Sequence, residues 1–569
     1  MKHDLKRWGA LLCALALLLS LAGCAAGTGG AKKGVVPEST GGKDVVKADA
    51  VDQVFSLNSN PKYSFRPTIA TNHANQLVCD LIYENMLELD DNFEVIPGSG
   101  LITEWTVTPD GKTWTFMIAT DHVFHDGSFV TGNDMRMSLE NAIHADRFQG
   151  RFASIQGVGY DKDQMVVVLG IPNMQFYKLL NIPVCKAGTF GDDHPIGSGP
   201  YTWDPEEENK LIAFEGWPGY EDLPVQEIYI KQYTEAADIL SAFEDGLIDV
   251  VVNDPSSITN LGYASTNEKR SFYTTNMHFI AFNEETTLGR YSNIRAALSY
   301  AVDRDYFEEL TRGNGVGTPI PMVPTVDIYP TALANGHGFN MERCLRILNN
   351  YGITDFDEDG RLELAAGSAQ EMTMVMIVPA DSSVKAGMAH RLAQDLATIG
   401  FTIEVRGLTW EEYTQALEDG YITEKNEEKT PFDIYYGEVK LRNDFDLTEL
   451  LQVRTKDNEG TNINYTRSSD RTFENKINAY LAANDNNRAI RYEELCQYLL
   501  DTGSLITVGF EKQEIFTHRG VIKGVDPNAG NPMYNFTNWE IDLDPMMEEV
   551  SLPTEEPSEE VTLTEEETP

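Results

Sequence analysis

The chain has 569 residues, of which 41% are hydrophobic and 10% aromatic. That is room for about three to four average domains or two large lobes with a sizeable core, and it argues against global disorder. Its formal net charge is −45, from 89 Asp and Glu against 44 Lys and Arg; so acidic a surface is repelled by nucleic acid and by anionic lipid, which argues against any phosphate-tracking role.

In chain order, Lys2, Lys6 and Arg7 form a basic start and Trp8 to Leu21 an apolar run. The run has the length of a secretory h-region and is too short to span a bilayer. Leu21-Ala22-Gly23-Cys24 resembles the lipobox of bacterial lipoproteins. The resemblance implies a signal peptide over 1–23, diacylation of the Cys24 thiol and acylation of the new N-terminus. The mature protein is then exported and held by lipid on the extracytoplasmic side of the cell membrane, facing the periplasm if an outer membrane is present. An ordinary signal peptide with a cysteine at its cleavage site is the alternative. Residues 24–48, rich in Gly, Ala, Ser, Thr and Lys, are expected to be a flexible tether.

Folding is expected to begin near Val51-Phe55. The Asp110-Gly111 turn leads into a strand at Trp114-Ile118, and further strands are expected at Met165-Leu169 and Gln226-Ile230. Ala236, Leu240, Phe243 and Leu247 show helical spacing, as do Ile294, Ala297, Leu298 and Ala301. Met372 to Val378 reads as a buried strand, Ala386 to Ile399 as an amphipathic helix ended by Gly400, and Phe401 to Val405 as the next strand. That strand–helix–strand order is a βαβ unit, so at least one lobe is α/β. The last residues, 546–569, are mostly Glu, Thr, Pro and Ser and are expected to be a disordered acidic tail. Once the leader and Cys24 are set aside, Cys79, Cys185, Cys344 and Cys496 remain, without a CxxC spacing. Disulfides and free buried thiols are both open.

Several segments resemble, in order, the bacterial extracellular solute-binding proteins of family 5, the oligopeptide- and dipeptide-binding lipoproteins of ABC importers. They are Ile82-Tyr83-Glu84-Asn85-Met86-Leu87, Trp105 to Gly111, Trp114-Thr115-Phe116, Val123 to Gly127, Val130 to Asp134, Ile196 to Tyr201, Ala242 to Val250, Ala281-Phe282-Asn283 and Ile294 to Arg304. The resemblance runs from about residue 51 to about 540, and ordered motifs carry more than any one of them alone. It implies an α/β, two-lobed periplasmic-binding-protein-like fold of the large peptide-binding (type II) subclass, with a hinge between lobes. Lobe one is expected over 49–275, with an extra subdomain near 75–185, lobe two over 276–503, and a return segment over 504–545. Some of these residues have a local reason as well: Asp110-Gly111 and Asp126-Gly127 suit turns of positive φ, Ser198 and Gly199 a backbone bend, and Arg295 and Arg304 structural ion pairs.

Peptide-binding relatives hold the ligand α-amine with an acid in a W-x-A-D-Y-x-D-P-like stretch. Here Asp444 falls on that acid and Phe445 on the aromatic after it, with Leu441 in place of the Trp, Asp446 one residue early for the second acid, and no Pro. Asp444 and Asp446 are thus candidate ligand contacts, an acidic loop that favours a cationic or amine-bearing ligand, with Asp444 otherwise a cap for Leu447-Leu451; Arg442 meets a ligand carboxylate or pairs with Asp444. Tyr435, Tyr436 and Trp410 are candidate pocket walls, or core. The resemblance implies no cofactor and no enzyme activity. It implies a monomer that captures peptide by lobe closure and delivers it to a membrane permease and ATPase. The other functions in view are a non-peptide solute (a nickel chelate, haem or an oligosaccharide), a sensor, and a surface lipoprotein hydrolase.

Other motifs carry less. Asp355 to Gly360 opens like an EF-hand loop, but Ala366 stands where the bidentate Glu belongs, so a turn is favoured over calcium. Ser382 to Lys385 contains S-x-x-K without its companion motifs, and His122 and His125 have no third metal ligand near them in sequence.

Overall fold

A computed structural model describes residues 53–253, 267–366, 371–423, 428–456, 458 and 462–543. The lipobox with Cys24, the tether and the acidic tail lie outside the described residues. Among those described, no helix is long and apolar enough to cross a membrane.

The strands run in chain order as β1 (Ser56–Ser59), β2 (Ile102–Val107), β3 (Thr113–Ile118), β4 (Ile155–Asp161), β5 (Gln164–Leu169), β6 (Tyr201–Trp203), β7 (Lys210–Ala213), β8 (Glu227–Gln232) and β9 (Val250–Asn253). They continue as β10 (Glu268–Phe282), β11 (Gly315–Gly317), β12 (Thr373–Pro379), β13 (Thr402–Leu408), β14 (Tyr421–Thr423), β15 (Lys429–Pro431), β16 (Ile434–Lys440) and β17 (Leu505–Thr517). One mixed sheet has the order β13-β12-β16-β10-β17-β9-β1-β8-β7-β6, with β11 on β17; β2-β3-β5-β4 form a separate antiparallel sheet.

The two halves of the large sheet belong to different lobes. β1 lies parallel to β8 and β9 in lobe one. In lobe two, β12 and β13 are parallel and joined by the helix Ser383–Ala397, which is the βαβ unit expected from the sequence. Gly400 follows that helix at φ +81°, a conformation that a β-carbon disfavours. Successive residues of β10 point to opposite faces: Met277, Phe279 and Ala281 enter one lobe-two core, Ile280 and Phe282 the other. Lobe one has its own core around Phe55, Leu57, Leu81 and Tyr201, which Phe536 and Trp539 from the end of the chain complete. The separate sheet encloses a further core around Trp114, Phe116 and Leu139.

β10 and β17 join the halves. Glu268 to Tyr273 pair with Lys512 to Thr517 in the lobe-one half, and Met277 to Ala281 pair with Leu505 to Phe510 in the lobe-two half. Between them the register shifts, leaving Thr274, Thr275 and Asn276 out of the ladder. Side chains make up the missing bonds: Thr274 Oγ1 donates to the Glu511 carbonyl at 2.9 Å and Thr275 Oγ1 to the Leu441 carbonyl at 2.7 Å. An irregularity of this kind bends the strand and relieves the ladder where two lobes must move.

Several sequence-level expectations have a visible cause. Gly111 and Gly127 adopt φ +68° and +79° in their turns. Gly199 serves a close approach instead: its N–H donates to the Ile82 carbonyl at 2.8 Å, and a β-carbon there would lie 2.6 Å from Leu81 O. Arg295 is buried, with Nη1 donating to the Gly289 carbonyl at 2.7 Å and Glu284 3.3 Å away; Arg304 forms no ion pair among the described residues, and its Nε donates instead to the Thr507 carbonyl at 3.0 Å. His122 pairs with Glu84 at 3.0 Å, and His125 Nε2 lies 3.1 Å from the Gly199 carbonyl. Asp355 accepts the N–H groups of Asp359 and Gly360, which braces this turn, and Asp355, Asp357, Asp359 and Glu363 bring carboxylate oxygens within 4.8 Å of one another. Cys79, Cys185, Cys344 and Cys496 are all buried and free.

Candidate functional site

A cavity of about 440 Å³ opens between the lobes. The break in β10 supplies Thr274, Thr275 and Asn276 to its wall, and β17 supplies Gln513. Lobe one supplies His73, Gln76 and Asp80, and the segment Asp146 to Arg151. Lobe two supplies Lys440, at the end of β16, with Leu441, Arg442, Asn443 and Glu449.

Each wall follows from local sequence. The helix α1 (His73–Ile82) is capped by Asn72, whose side chain accepts the Asn75 N–H at 2.8 Å. It buries Leu77, Val78, Leu81 and Ile82 in the lobe-one core; His73, Gln76 and Asp80, spaced three and four apart, share the other face and turn to the cavity. In the segment after Asp146, Arg147 and Arg151 each lie over the Phe148 ring, at 5.2 and 5.4 Å. Gly150 between them, at φ +73°, brings the backbone against lobe two, where a β-carbon would lie 2.1 Å from Glu449 Oε1.

Of the five ligand contacts expected from sequence, Arg442 lines the cavity. Its guanidinium reaches Asp446 at 2.8 Å and Glu449 at 2.5 Å. Burial pulls its pKa down, but Asp446, Glu449 and Asp444 outweigh burial and hold the charge. Asp446 is therefore a partner of Arg442, and it also accepts the Thr448 N–H at 2.9 Å, the capping bond that the sequence had offered to Asp444. Asp444 is fully buried behind the cavity wall, where Asn173 Nδ2 donates to its Oδ2 at 2.8 Å. Burial, then Asp446, push its pKa up, while Arg442 and Asn173 oppose them. Around this bond Asn443 Nδ2 donates to Asn181 Oδ1 at 2.8 Å, Tyr480 donates to the Asp444 carbonyl at 2.7 Å, and the Phe93 and Phe445 rings meet edge-on at 5.4 Å. The 441–451 loop thus docks lobe two onto the lobe-one subdomain.

Tyr436 and Trp410 are not pocket walls. Tyr436 is the third residue of β16, buried in a lobe-two core with Phe307 and Ile506, its hydroxyl 3.2 Å from His278 Nδ1. Tyr435 fills the core on the opposite face. Trp410 is 59% exposed at the start of the helix Trp410–Asp419, stacked on Tyr413, because it lies on the solvent side of that helix.

The sequence reading missed Arg147, Arg151, Lys440, His73 and Asp80. One signal was there: Arg147-Phe148 and Arg151-Phe152, a repeated basic–aromatic pair in a strongly acidic chain. Burial, then Lys440 and Arg147, push the His73 imidazole down to about 4, so it is neutral at physiological pH. Burial pushes the Asp80 carboxyl up to about 8 against the pull of Arg147, so it is largely protonated there. Lys440 is exposed as a residue, yet protein surrounds its ammonium within the cleft; that burial, then Arg147 and Arg151, push it down to about 8.

The model of the bacterial extracellular solute-binding proteins, family 5, matches residues 97–444. The dipeptide-binding protein of Escherichia coli is 22% identical over 460 residues, covering 74% of this chain and 81% of that protein. Among solved structures, the ABC transporter substrate binding protein CtaP of Listeria monocytogenes aligns with a TM-score of 0.65 and 14% identity, over 86% of this chain and 99% of that one. NikZ of Campylobacter jejuni, solved with Ni(L-His), aligns with a TM-score of 0.61 and 16% identity, over 86% and 99%. These structural neighbours share the two-lobed periplasmic-binding fold, and the match to the family model, over more than half of the sequence, establishes that this chain belongs to the bacterial extracellular solute-binding proteins of family 5.

Proposed function

We propose that the protein is the lipid-anchored receptor of an ABC import system, tethered through Cys24, which captures a short peptide between its lobes and presents it to a membrane permease and ATPase. The observation that carries this is the cavity of about 440 Å³ walled by both lobes and floored by the register break in β10. Its volume is in the range of small-solute sites, and its lining is rich in hydrogen-bonding groups such as Gln76, Thr275, Asn276 and Gln513. The dipeptide-binding name of the Escherichia coli relative supports peptide as the solute. In this reading Arg442 touches the ligand, while Asp446 and Asp444 hold the 441–451 loop in place.

The test is native mass spectrometry of the purified protein before and after mild denaturation. A ladder of released peptide masses supports the reading. A single non-peptide mass keeps the receptor and replaces its ligand, and a protein that closes on no solute pool sinks it. For the anchor, Cys24→Ser should move the protein from the membrane to the soluble fraction and abolish labelling by fatty acid; an unchanged distribution removes the lipid from the account.

A further inference from the structure

Acidic residues outnumber basic ones two to one in this chain, 89 to 44, so a basic side chain without an acidic partner is the exception that asks for a reason. Three such side chains line the cavity between the lobes: Arg147, Arg151 and Lys440. Among the described residues, none of the three has a carboxylate within 4.0 Å, whereas Arg442 beside them has two. Arg147 donates to the Pro67 carbonyl and Arg151 to Asn181 Oδ1, and Arg151 also lies over the Phe152 ring at 5.8 Å. Those contacts hold the guanidinium planes in position and neutralise nothing. Arg151 Nε is buried without a hydrogen-bond partner among the described residues.

The carboxyls that line the cavity do not offset these charges at contact distance. Asp80 is largely protonated, Glu449 is engaged by Arg442, and Asp146 is exposed without a salt bridge to any of the three. Asp444 and Asp446 lie behind the wall, bonded to Asn173 and Arg442. Apart from enclosure, the groups that most lower the Lys440 ammonium are both cations, Arg147 and Arg151. Like charges gathered in an enclosed site weaken the empty protein, and an anion entering the site relieves them.

We propose that the solute held in this cleft is multiply acidic, carrying at least two carboxylate or phosphate groups, one met by Arg147 and Arg151 on lobe one and another by Lys440 on lobe two. Such a solute bridges the lobes and completes the charge pairing only when they close on it. The inference rests on the cleft being the capture site of the receptor, and it adds the charge of the ligand.

Isothermal titration calorimetry on the purified full-length protein, stripped of bound solute by unfolding and refolding, separates the two. The probes are Ala-Ala, Glu-Glu, Lys-Lys and citrate. Glu-Glu should bind about 10- to 100-fold tighter than Ala-Ala, as expected for one or two charge-assisted contacts, with Lys-Lys the weakest. Lys440→Gln and Arg151→Gln should each cost Glu-Glu about tenfold and so narrow its advantage over Ala-Ala, which has only one carboxylate to lose contact with. If Arg151→Gln fails to fold, Lys440→Gln, at a residue that is exposed, carries the test alone. Equal affinity for Ala-Ala and Glu-Glu, or a Lys440→Gln protein with an unaltered preference, overturns the acidic ligand and leaves the receptor standing. Citrate binding without any dipeptide supports the acidity and replaces the peptide, and binding of none of the four overturns both.

Discussion

Arg442 and Arg151 line the same cavity from opposite lobes, and they differ in what neutralises them. Arg442 is clamped by Asp446 and Glu449, and its side chain is 14% exposed against 2% for Asp446. Arg151 is held by an amide and two aromatic rings and has no carboxylate within 4.0 Å among the described residues; Asp444, bonded to Asn173, acts on it only from farther away. A paired guanidinium contributes to the fold because its removal strands a buried carboxylate; an unpaired one weakens the empty protein and is maintained for something that binds. The two arginines therefore separate the stability of the lobes from their selectivity.

The largest expected effect breaks the paired side. Arg442→Ala leaves Asp446 buried without its cation and should lower unfolding stability by about 3–5 kcal/mol, read from the midpoint of urea denaturation. A midpoint near that of the parent protein would mean that Asp446 is solvated and that the two arginines are equivalent. Next, the inter-lobe bond of Asp444 to Asn173 should show a coupling of about 1–3 kcal/mol in a double-mutant cycle of Asp444→Ala and Asn173→Ala. A coupling near zero would remove the 441–451 loop as a contact between lobes. On the unpaired side, Lys440→Gln should not lower stability, and by removing a charge that Arg147 and Arg151 disfavour it should raise it, while altering solute preference. A strongly destabilised Lys440→Gln would place that lysine with Arg442 instead.

The last expected effect is a slope with pH rather than a change at one pH. Asp80 keeps its proton up to about 8 in the folded protein and to about 4 when unfolded. The folded state therefore binds more protons in that window, and the contribution of Asp80 to stability falls as pH rises from about 4 to about 8. Asp80→Asn should flatten that part of the pH–stability curve. An unchanged slope would show that Arg147 keeps the carboxyl ionised, which would also supply the counter-ion that the comparison denies it.

What was legible in the sequence was local. Asp110-Gly111 and Asp126-Gly127 announced their turns because positive φ selects glycine, and the strand–helix–strand run from Thr373 to Leu408 announced a parallel pair because its hydrophobic period changes at its own boundaries. The site was legible only in part. The stretch around Asp444 pointed to the right loop, and Arg442 lines the cavity. Asp444, however, meets Asn173 across 271 positions, and no spacing rule reaches that far. Trp410 and Tyr436 failed as pocket walls because an aromatic residue near a site in sequence is placed by the face its element presents, and that is decided by packing between elements. Arg147 and Arg151 matched no motif, and only the position of their segment against Gly150 and Glu449 makes them part of a cleft.

The charge of the whole chain gives the cationic cleft a kinetic consequence. At a formal −45 the molecule repels an anionic solute at long range, and this repulsion is screened beyond about 8 Å at physiological ionic strength. Inside that distance Arg147, Arg151 and Lys440 take over. For an acidic solute, added salt therefore speeds the approach and weakens the hold, so its association and dissociation rates both rise with ionic strength. The outer surface sets how often such a solute arrives, and three side chains set how long it stays.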